Sequence, residues 1–576
     1  MKKEKYNLYP DNRAITDIKE LLQTSVKRYR DNAAFRQRFV KGQPFGVVTY
    51  RQLLEDVNGL GTALLELGLE GKTIGVLGEN SYQWASSYLA VLCGVGVVVP
   101  FDRDLDYEAL RGQVEEANVE AVFCSKRYLP TLQNMKAESL SPLRVLIVLD
   151  DSTEEASDCY QWSRLIQQGK EALRHGNQDY IKKEIDREAL AVIIYTSGTT
   201  GKAKGVMLSH KNLCENLMAA PTLLYLNSHD IFFSVLPLHH TYECTCGMLM
   251  PLYKGASVAY CESLKRMAET MQEVRPTMML AVPLVYENMY RNLKRNLKKE
   301  HKEGVVRRAQ AFGHLVSKLG GSRMGLNPQK KLLKPIHDSF GGRLRVLISG
   351  GSAMKQEVLD YFNDLGIIMV EGYGLTELSP LVALNPDRRH LMKPGAAGRL
   401  LPNMEAKVES PGEDGIGELC FKGPNVMLGY YNRPEETSEV LKDGWFYTGD
   451  LGYIDDEGFL YITGRKKNVI LTSNGKNIFP EELEQYFARS PFIAELMVWE
   501  NQSKIAATVL PDWEEVLAHL GDHAGQGEVD QLLEEEIDRM NRELPMYKRI
   551  GEVKVRREDF AKTTSQKIRR QAEENR

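Results

Sequence analysis

The stretch Tyr195-Thr-Ser-Gly-Thr-Thr-Gly-Lys-Ala-Lys-Gly205 follows an apolar run, residues 189–194, and precedes a predicted helix that begins at His210. Its glycines let the backbone approach a ligand closely, its Ser and Thr residues supply hydroxyl donors, and its two lysines add positive charge. A loop of this chemistry between a strand and a helix is typical of a site that wraps a polyphosphate. It is not the G-x-x-x-x-G-K-[ST] loop, because Ala203 stands where that motif needs Ser or Thr. Taken alone, the stretch could also be a flexible connection.

Strand and helix patterns alternate on both sides of this loop. Apolar runs predict strands at residues 73–77, 97–100, 121–124, 145–149, 189–195, 230–236, 257–260, 278–281, 344–349 and 367–371. Helical spacing of apolar residues predicts helices at 15–29, 50–67, 84–94 and 107–117. Because strands that alternate with helices form βαβ units, the sequence predicts an α/β fold with mainly parallel sheets.

The pattern changes after Pro402. Short alternating runs at 405–409, 417–422 and 458–463, separated by turn residues, predict a small antiparallel β unit at about 400–464. Beyond Arg465, predicted helices at 480–488 and 530–544 and strands at 493–499 and 505–510 form an α+β piece that is large enough to fold alone. We therefore predict a large N-terminal domain, residues 1–464, and a small C-terminal domain, residues 465–576.

Composition excludes some classes of protein. The 576-residue chain has a net charge of -4 and a pI near 6.3, which argues against a nucleic-acid partner. The first residues lack the apolar segment of a signal peptide, and no run of about 18 apolar residues is present. Cys244 and Cys246 form a C-x-C pair without a second ligand pair, so we expect no metal there. We predict free thiols in a reducing cytoplasm.

One segment, residues 290–334, is strongly basic: it carries 13 Lys or Arg residues against Glu300 and Glu303. Its apolar residues have amphipathic helical spacing. Two interpretations stay open. The segment is a solvated helical insertion, which we favour, or it lies on an anionic membrane surface, which would place the protein at the inner membrane face.

Six further motifs follow the loop in order. They are Pro237-Leu-His-His240, Ser349-Gly-Gly-Ser352, Glu371-Gly-Tyr-Gly-Leu-Thr-Glu377, Tyr447-Thr-Gly-Asp450, Gly464-Arg-Lys-Lys-Asn468 and Lys562-Thr-Thr-Ser-Gln-Lys567. In this order and spacing the sequence resembles the adenylate-forming superfamily of acyl-CoA synthetases, luciferases and nonribosomal-peptide adenylation domains. Within it, the chain is most similar to long-chain fatty acyl-CoA synthetases. The resemblance covers nearly the whole chain, from about residue 20 to about residue 570.

The resemblance implies an ATP-dependent acid–thiol ligase that forms an acyl-adenylate and passes the acyl group to coenzyme A, releasing AMP and pyrophosphate. The residues that would hold the β- and γ-phosphates are Thr196, Ser197, Gly198, Thr199, Thr200, Gly201, Lys202 and Lys204. Thr376 would contact the α-phosphate. Glu377 would hold the Mg²⁺ that bridges the phosphates, as a hard oxygen ligand does. Taken alone, Glu377 would be a carboxylate at a helix N-terminus.

The same resemblance assigns the nucleoside site. Gly350, Gly351 and Ser352 would form a strand-end turn against adenine, and Tyr373 would stack on the ring. Asp450 would accept from both ribose hydroxyls, with Arg465 assisting from the domain junction. Without this context, an Asp in Thr-Gly-Asp-Leu-Gly would be a turn residue.

Three further roles are implied by the resemblance. Lys567 would reach from a mobile C-terminal domain to the carboxylate and α-phosphate oxygens, although Gln566 replaces the common glycine before it. Lys467 would be the hinge about which that domain rotates between the two half-reactions. His240 would gate the acyl pocket, or be only structural.

Two features bear on the substrate. The region after His240 offers no Asp where amino-acid-activating relatives place one, and the basic insertion is similar to that of long-chain fatty acyl-CoA synthetases. We therefore predict a medium- or long-chain fatty acid. The alternatives are an aryl or short acid, an acyl carrier protein as acceptor, and a non-catalytic relative that binds lipid or nucleotide.

Overall fold

The computed structural model describes residues 7–150, 159–196, 203–299, 333–471, 477–501, 504–562 and 568–570, with a few single positions between 301 and 308. Several predicted features lie outside these residues. They are Ser197 to Lys202 of the phosphate loop, Lys567, and most of the basic segment beyond Lys299. In the described part of the chain, no helix combines the length and the apolar character needed to cross a membrane.

The strands, in chain order, are β1 (Ala33–Gln37), β2 (Gly46–Thr49), β3 (Thr73–Leu77), β4 (Val97–Pro100), β5 (Val119–Cys124), β6 (Val145–Val148), β7 (Tyr160–Gln161), β8 (Leu190–Thr196), β9 (Lys204–Ser209), β10 (Ile231–Ser234), β11 (Ser257–Tyr260), β12 (Met278–Ala281), β13 (Val346–Ser349), β14 (Ile368–Gly374), β15 (Leu381–Leu384), β16 (Gly398–Leu400), β17 (Glu405–Glu409), β18 (Gly417–Lys422), β19 (Gly429–Tyr430), β20 (Leu441–Lys442), β21 (Trp445–Ile454), β22 (Phe459–Arg465), β23 (Ile470–Leu471), β24 (Asn477–Ile478), β25 (Ile493–Asn501), β26 (Lys504–Pro511) and β27 (Glu552–Val555).

The α-helices are Ile18–Tyr29, Tyr50–Glu66, Tyr82–Leu92, Tyr107–Glu116, Leu129–Lys136, Trp162–Arg174, Asp179–Lys182, His210–Ala219, Met250–Lys254, Met267–Val274, Pro283–Lys299, Lys334–Ser339, Gln356–Asp364, Pro434–Val440, Pro480–Phe487, Trp513–Leu520 and Gln526–Asn541. Side chains cap the N-termini of several of these helices. Thr49, for example, caps the Tyr50–Glu66 helix through a reciprocal capping box with Gln52.

Two large sheets form the N-terminal part. The first has the order β19-β9-β8-β4-β3-β5-β6-β7, and its strands from β8 through β4 and β3 to β7 are parallel. The second has the order β17-β18-β21-β22-β16-β15-β14-β13-β12-β10-β11-β1-β2. It is parallel from β14 to β1 and antiparallel from β14 through β15 onward. The predicted α/β fold is confirmed; the first sheet is mainly parallel, whereas the second combines a parallel part with an antiparallel part.

Strands β17, β18, β20, β21 and β22, which follow Pro402, extend the second sheet. They are antiparallel, as the sequence predicts, and β16 joins them to β15 and so to the parallel strands. Residues of both large sheets share one buried cluster, which includes Ile74 of β3 and Phe232 of β10. A separate buried cluster runs from Ile470 to Ile550 and packs the Gln526–Asn541 helix on the β25-β26-β27 sheet.

The phosphate loop differs from its prediction. The sequence predicts a strand-to-helix connection, whereas β9 follows the loop and pairs antiparallel with β8, so the loop is the connection of a hairpin. Gly205 belongs to β9, where a Cβ would lie 2.8 Å from Ile193 Cγ2 of the paired strand. The short run of β9 was missed because it lies between a glycine-rich loop and the helix cap Ser209.

Residues Tyr242–Leu249 form a π-helix, a rare form that is common at functional sites. Its Glu243 is buried, and within the described residues neither carboxyl oxygen has a hydrogen-bond partner of normal geometry. Gly247 leaves the necessary room, because a Cβ there would lie 2.7 Å from the Glu243 carboxyl carbon. Burial raises the pKa of Glu243 to about 8, and the Ser234 hydroxyl offsets only part of this effect. Glu243 is therefore a neutral acid at pH 7.

This pKa shift predicts a pH dependence of stability. The folded chain keeps the Glu243 proton up to about pH 8, whereas the unfolded chain loses it above its ordinary value of 4.5, so stability falls as pH rises between these values. Glu243→Gln cannot lose a proton. We therefore compare the free energy of unfolding of the variant with that of the parent chain by urea denaturation at each pH. The variant minus parent difference should increase by about 3 kcal/mol from pH 5 to pH 8.

Glu357→Gln is the matched control. The pKa of Glu357 is lowered, with Tyr290 and Lys294 outweighing desolvation, so this residue is ionised in both states above pH 5. The relative stability of that variant should not change over the same interval. If the stability difference between Glu243→Gln and the parent chain also stays constant from pH 5 to pH 8, Glu243 is not a neutral acid in the folded chain.

Candidate active site

Three predicted nucleoside-site residues meet at one point. Asp450 of β21 is 4% exposed, and its Oδ2 accepts a hydrogen bond of 2.6 Å from the Tyr373 hydroxyl of β14. Its Oδ1 lies 2.6 Å from Nε of Arg465, the residue opposite it on β22. Burial, and then the Asp450 carboxylate, raises the pKa of Tyr373, so its hydroxyl stays protonated and donates. Asp450 is thus a strand residue with an oriented carboxylate, and not a turn residue.

The predicted α-phosphate and magnesium residues follow on the same chain segment. Thr376 and Glu377 begin the 3-10 turn Thr376–Leu378, two residues after β14 ends. Glu377 Oε1 accepts a hydrogen bond of 2.9 Å from the hydroxyl of Tyr430 on β19. The Glu377 backbone carbonyl accepts a second, from the Met427 amide at 2.9 Å. The Glu377 carboxylate is therefore held in a fixed direction.

Tyr430 also joins Glu377 to the end of the phosphate loop. The Lys204 ammonium lies 5.0 Å from the centroid of the Tyr430 ring and forms an ion pair with Glu436. Thr196 and Lys204 are opposite one another in the β8–β9 hairpin. The two ends of the predicted phosphate loop thus lie within one cluster with Glu377, although residues 197–202 between them are outside the described chain.

Gly350 and Gly351 form the predicted turn at the end of β13. Gly351 has a φ of +91°, and a Cβ on Gly350 would lie 3.0 Å from the Tyr242 ring. The turn is held from below, because the Met354 amide donates to Oε1 of Glu371 at 3.0 Å. Burial raises the pKa of Glu371 to about 7, and this amide offsets part of the rise. Ser352 is exposed.

His240 lies next to the π-helix, with its ring centroid 4.3 Å from that of His239. Burial, and then His240, lowers the pKa of His239, so His239 is neutral. Tyr242, two residues on, donates its hydroxyl to the Ile348 carbonyl at 3.0 Å. His240 is therefore on the segment that packs against the Gly350 turn.

The predicted hinge and catalytic lysine lie in the C-terminal part. Lys467 is in the 3-10 turn Lys466–Asn468, directly after β22, and its neighbour Lys466 pairs with Glu418 at 2.8 Å. Lys567 is outside the described residues. The residue that follows it, Ile568, forms an antiparallel bridge with Lys562.

The sequence did not predict three residues that shape this site, namely Glu371, Tyr430 and Tyr242. Tyr430 is 53 positions from Glu377, and only the pairing of β19 with β9 brings it there. Glu371 is the first residue of a motif in which only later residues were given roles, and it is also the last residue of the predicted strand 367–371. Among the described residues, no group of three His, Cys, Asp or Glu side chains is arranged to hold a metal ion.

The chain is similar in sequence to known proteins. A model of the family described as "AMP-binding enzyme" matches residues 22–431. Long chain acyl-CoA synthetase 1 of Arabidopsis thaliana is 30% identical over 547 residues, covering 88% of this chain and 81% of that protein. The long-chain-fatty-acid–CoA ligase ACSBG2 of Rattus norvegicus is 28% identical over 563 residues, covering 93% and 80%.

Solved structures share the fold. The anthranilate CoA ligase AuaEII in complex with anthranoyl-AMP aligns with a TM-score of 0.77 at 19% identity, covering 97% of this chain and 96% of that one. ATP-bound MatB from Rhodopseudomonas palustris aligns with a TM-score of 0.73 at 22% identity, covering 97% and 98%. Since the family model matches more than half of the chain and the Arabidopsis relative is 30% identical across most of it, this chain belongs to the AMP-binding enzyme family.

Proposed function

We propose that this chain is an AMP-forming acid–thiol ligase that activates a long-chain fatty acid as its acyl-adenylate and transfers the acyl group to coenzyme A. The observation that carries the proposal is the cluster of Tyr373, Asp450 and Arg465 beside Thr376 and Glu377. The cluster combines the oriented carboxylate of Asp450 and the hydroxyl of Tyr373, which suit a nucleoside, with the oriented carboxylate of Glu377, which suits a metal ion. The names of the relatives support the fatty acid and coenzyme A.

The nucleoside would bind through Asp450. Its carboxylate, oriented by Tyr373 and Arg465, would accept hydrogen bonds from the ribose hydroxyls. Tyr373 would then have two functions, as a donor that orients Asp450 and as a ring beside adenine. The turn at Gly350 and Gly351 would supply the opposite wall.

The first step is attack of a carboxylate oxygen on the α-phosphorus of ATP, with pyrophosphate leaving. Two anions must meet, so the chain has to supply positive charge and hydrogen-bond donors. Residues 196–204 would hold the β- and γ-phosphates, and Thr376 and Lys567 would contact the α-phosphate. Lys204 would exchange its ion pair with Glu436 for a phosphate oxygen.

Glu377 fits a magnesium ligand, because Mg²⁺ binds through one or two carboxylates together with substrate phosphates. The Tyr430 hydroxyl would hold the direction of that carboxylate, which is how residues around a metal ligand commonly act. Bound there, the ion would neutralise phosphate charge. In the second step the coenzyme A thiolate would attack the acyl carbonyl and AMP would leave, after rotation of the C-terminal domain about Lys467.

Pyrophosphate exchange with a panel of acids tests the proposal. Acids from acetate to oleate, with benzoate as the aryl arm, should all be assayed with ATP and Mg²⁺. Because each buried methylene is worth about 0.8 kcal/mol, we expect kcat/KM for palmitate and oleate to exceed that for acetate by at least about 100-fold. If none of these acids supports pyrophosphate exchange, the proposed ligase activity is wrong. If benzoate or acetate is preferred, the proposed long-chain substrate is wrong.

The acceptor is tested with the best acid of that panel. Thioester should form with free coenzyme A. Holo acyl carrier protein is the parallel arm, and thioester that forms on the carrier alone would overturn the proposed acceptor.

Lys567→Ala separates the two half-reactions. We expect pyrophosphate exchange to fall by at least ~100-fold, the usual effect of removing one positioned electrostatic group. Thioester formation from supplied acyl-adenylate should largely persist. The matched control is Lys562→Ala, five residues earlier, where the lysine is paired with Glu495 at 2.5 Å. If Lys567→Ala slows both half-reactions equally, the lysine does not act in the first step alone.

A further inference from the structure

Most of the described part of the basic segment, residues 290–299, lies in the Pro283–Lys299 helix. Its buried face consists of Tyr286, Met289, Tyr290, Leu293 and Leu297, which pack on the large N-terminal part of the chain. The arginines on its remaining surface were expected to face solvent or a membrane. Both arginines of this helix, Arg291 and Arg295, contact the C-terminal part of the chain.

The contacts are ion pairs with an acidic helix start. Arg291 Nη1 lies 2.9 Å from Asp512 Oδ2, and Arg295 Nη1 lies 3.5 Å from Glu514 Oε2. Asp512 caps the Trp513–Leu520 helix, and Glu514 is in its first turn. Positions 291 and 295 are one helical turn apart, so both arginines point from the same face.

Each arginine is also oriented on its own helix. The second guanidinium nitrogen of Arg291 donates to Asn288 Oδ1 at 2.8 Å, and that of Arg295 donates to Asn292 Oδ1 at 2.6 Å. The same Asn-x-x-Arg arrangement therefore occurs twice in succession. A guanidinium that is already oriented loses less rotamer freedom when it forms an ion pair, so these pairs cost less to form than ordinary surface pairs.

Both pairs cross the predicted hinge. Arg291 and Arg295 precede Lys467, whereas Asp512 and Glu514 follow it. The pairs closest to the hinge do not cross it, since Asp450–Arg465 and Glu418–Lys466 lie on its N-terminal side. A rotation about residue 467 would thus separate the arginine pairs and preserve the others.

We propose that Arg291–Asp512 and Arg295–Glu514 form an electrostatic latch that holds the C-terminal part in one of its two catalytic orientations and opens for the other half-reaction. This inference rests on the proposed function, because two half-reactions at one site are what require a second orientation. The pairs are partly exposed, with Arg291 45% and Glu514 67% exposed, so each shifts the balance of orientations by only about two- to fivefold. A latch of that strength opens in every catalytic cycle.

A charge-reversal cycle tests the latch. Arg295→Glu and Glu514→Arg are the single changes, because Glu514 has no capping role, whereas Asp512 does. The measured quantity is the ratio of pyrophosphate exchange to thioester formation from supplied acyl-adenylate. Each single variant should shift this ratio two- to fivefold in the same direction, and the double variant R295E/E514R should restore it. Raising the salt concentration from 50 to 500 mM should shift the parent chain in that direction, because salt screens both ion pairs.

Lys294→Glu is the matched control on the same helix. Lys294 pairs with Glu357 at 3.0 Å, and both residues are on the N-terminal side of the hinge, so the ratio should not change. An unchanged ratio in both single reversals, or a double variant that adds their effects instead of restoring the ratio, would overturn the latch.

A cross-linking measurement keeps the latch separate from the proposed function. Arg295→Cys with Glu514→Cys should be joined within one chain by a short bismaleimide, and Arg291→Gln in that background should slow the joining two- to fivefold. If the chain activates no acid but this dependence on Arg291 holds, the proposed function fails and the contact stands. Cross-linking that is indifferent to Arg291 overturns the latch, whatever the activity.

Discussion

The carboxylate of Asp450 is the point on which the site depends. It lies on β21, accepts from Tyr373 on β14, and pairs with Arg465 at the end of β22. β14 is the last parallel strand of its sheet, and β21 and β22 belong to the antiparallel extension. The buried Asp450 carboxylate and its two donors therefore connect the parallel part of this sheet to its antiparallel extension. A buried carboxylate that lost either donor would carry a large desolvation cost, so the junction and the site are stabilised together.

The parallel strands were the part of the fold that the sequence predicted best. Runs such as Thr73–Leu77, Ser257–Tyr260 and Met278–Ala281 have the predicted bounds, because a strand buried on both faces is a continuous apolar run between polar turns. β9 and β21 were not predicted. β9 is short and starts within a glycine-rich loop, and β21 contains the Thr-Gly-Asp sequence that resembles a turn. Where a strand contains the glycines and polar residues of a candidate site, its local composition predicts a loop or a turn instead of a strand.

The site was predictable to the extent that its residues lie in motifs. Tyr373, Asp450 and Arg465 were each predicted from a local motif, and the structure adds that they contact one another. Tyr430 and Glu371 could not be found in this way. Tyr430 acts on Glu377 through a pairing of β19 with β9, which are more than 200 residues apart in the chain, and Glu371 acts through a backbone amide that any residue possesses. Contacts that depend on tertiary pairing or on backbone groups leave no residue pattern.

Contacts between distant parts of the chain also determine the surroundings of the basic Pro283–Lys299 helix. A run of lysines and arginines indicates a solvated or membrane-facing surface only when nothing else in the chain is acidic and within reach. Here Asp512 and Glu514, more than 200 residues further on, provide that acidic partner for two of the arginines. Their pairs have to be weak. A buried, fully desolvated pair would resist separation and hold the C-terminal part in one orientation. A partly exposed pair favours that orientation but is weak enough for thermal motion to break it. In the proposed mechanism, the exposure of these side chains lets the C-terminal part be held in one orientation and still rotate.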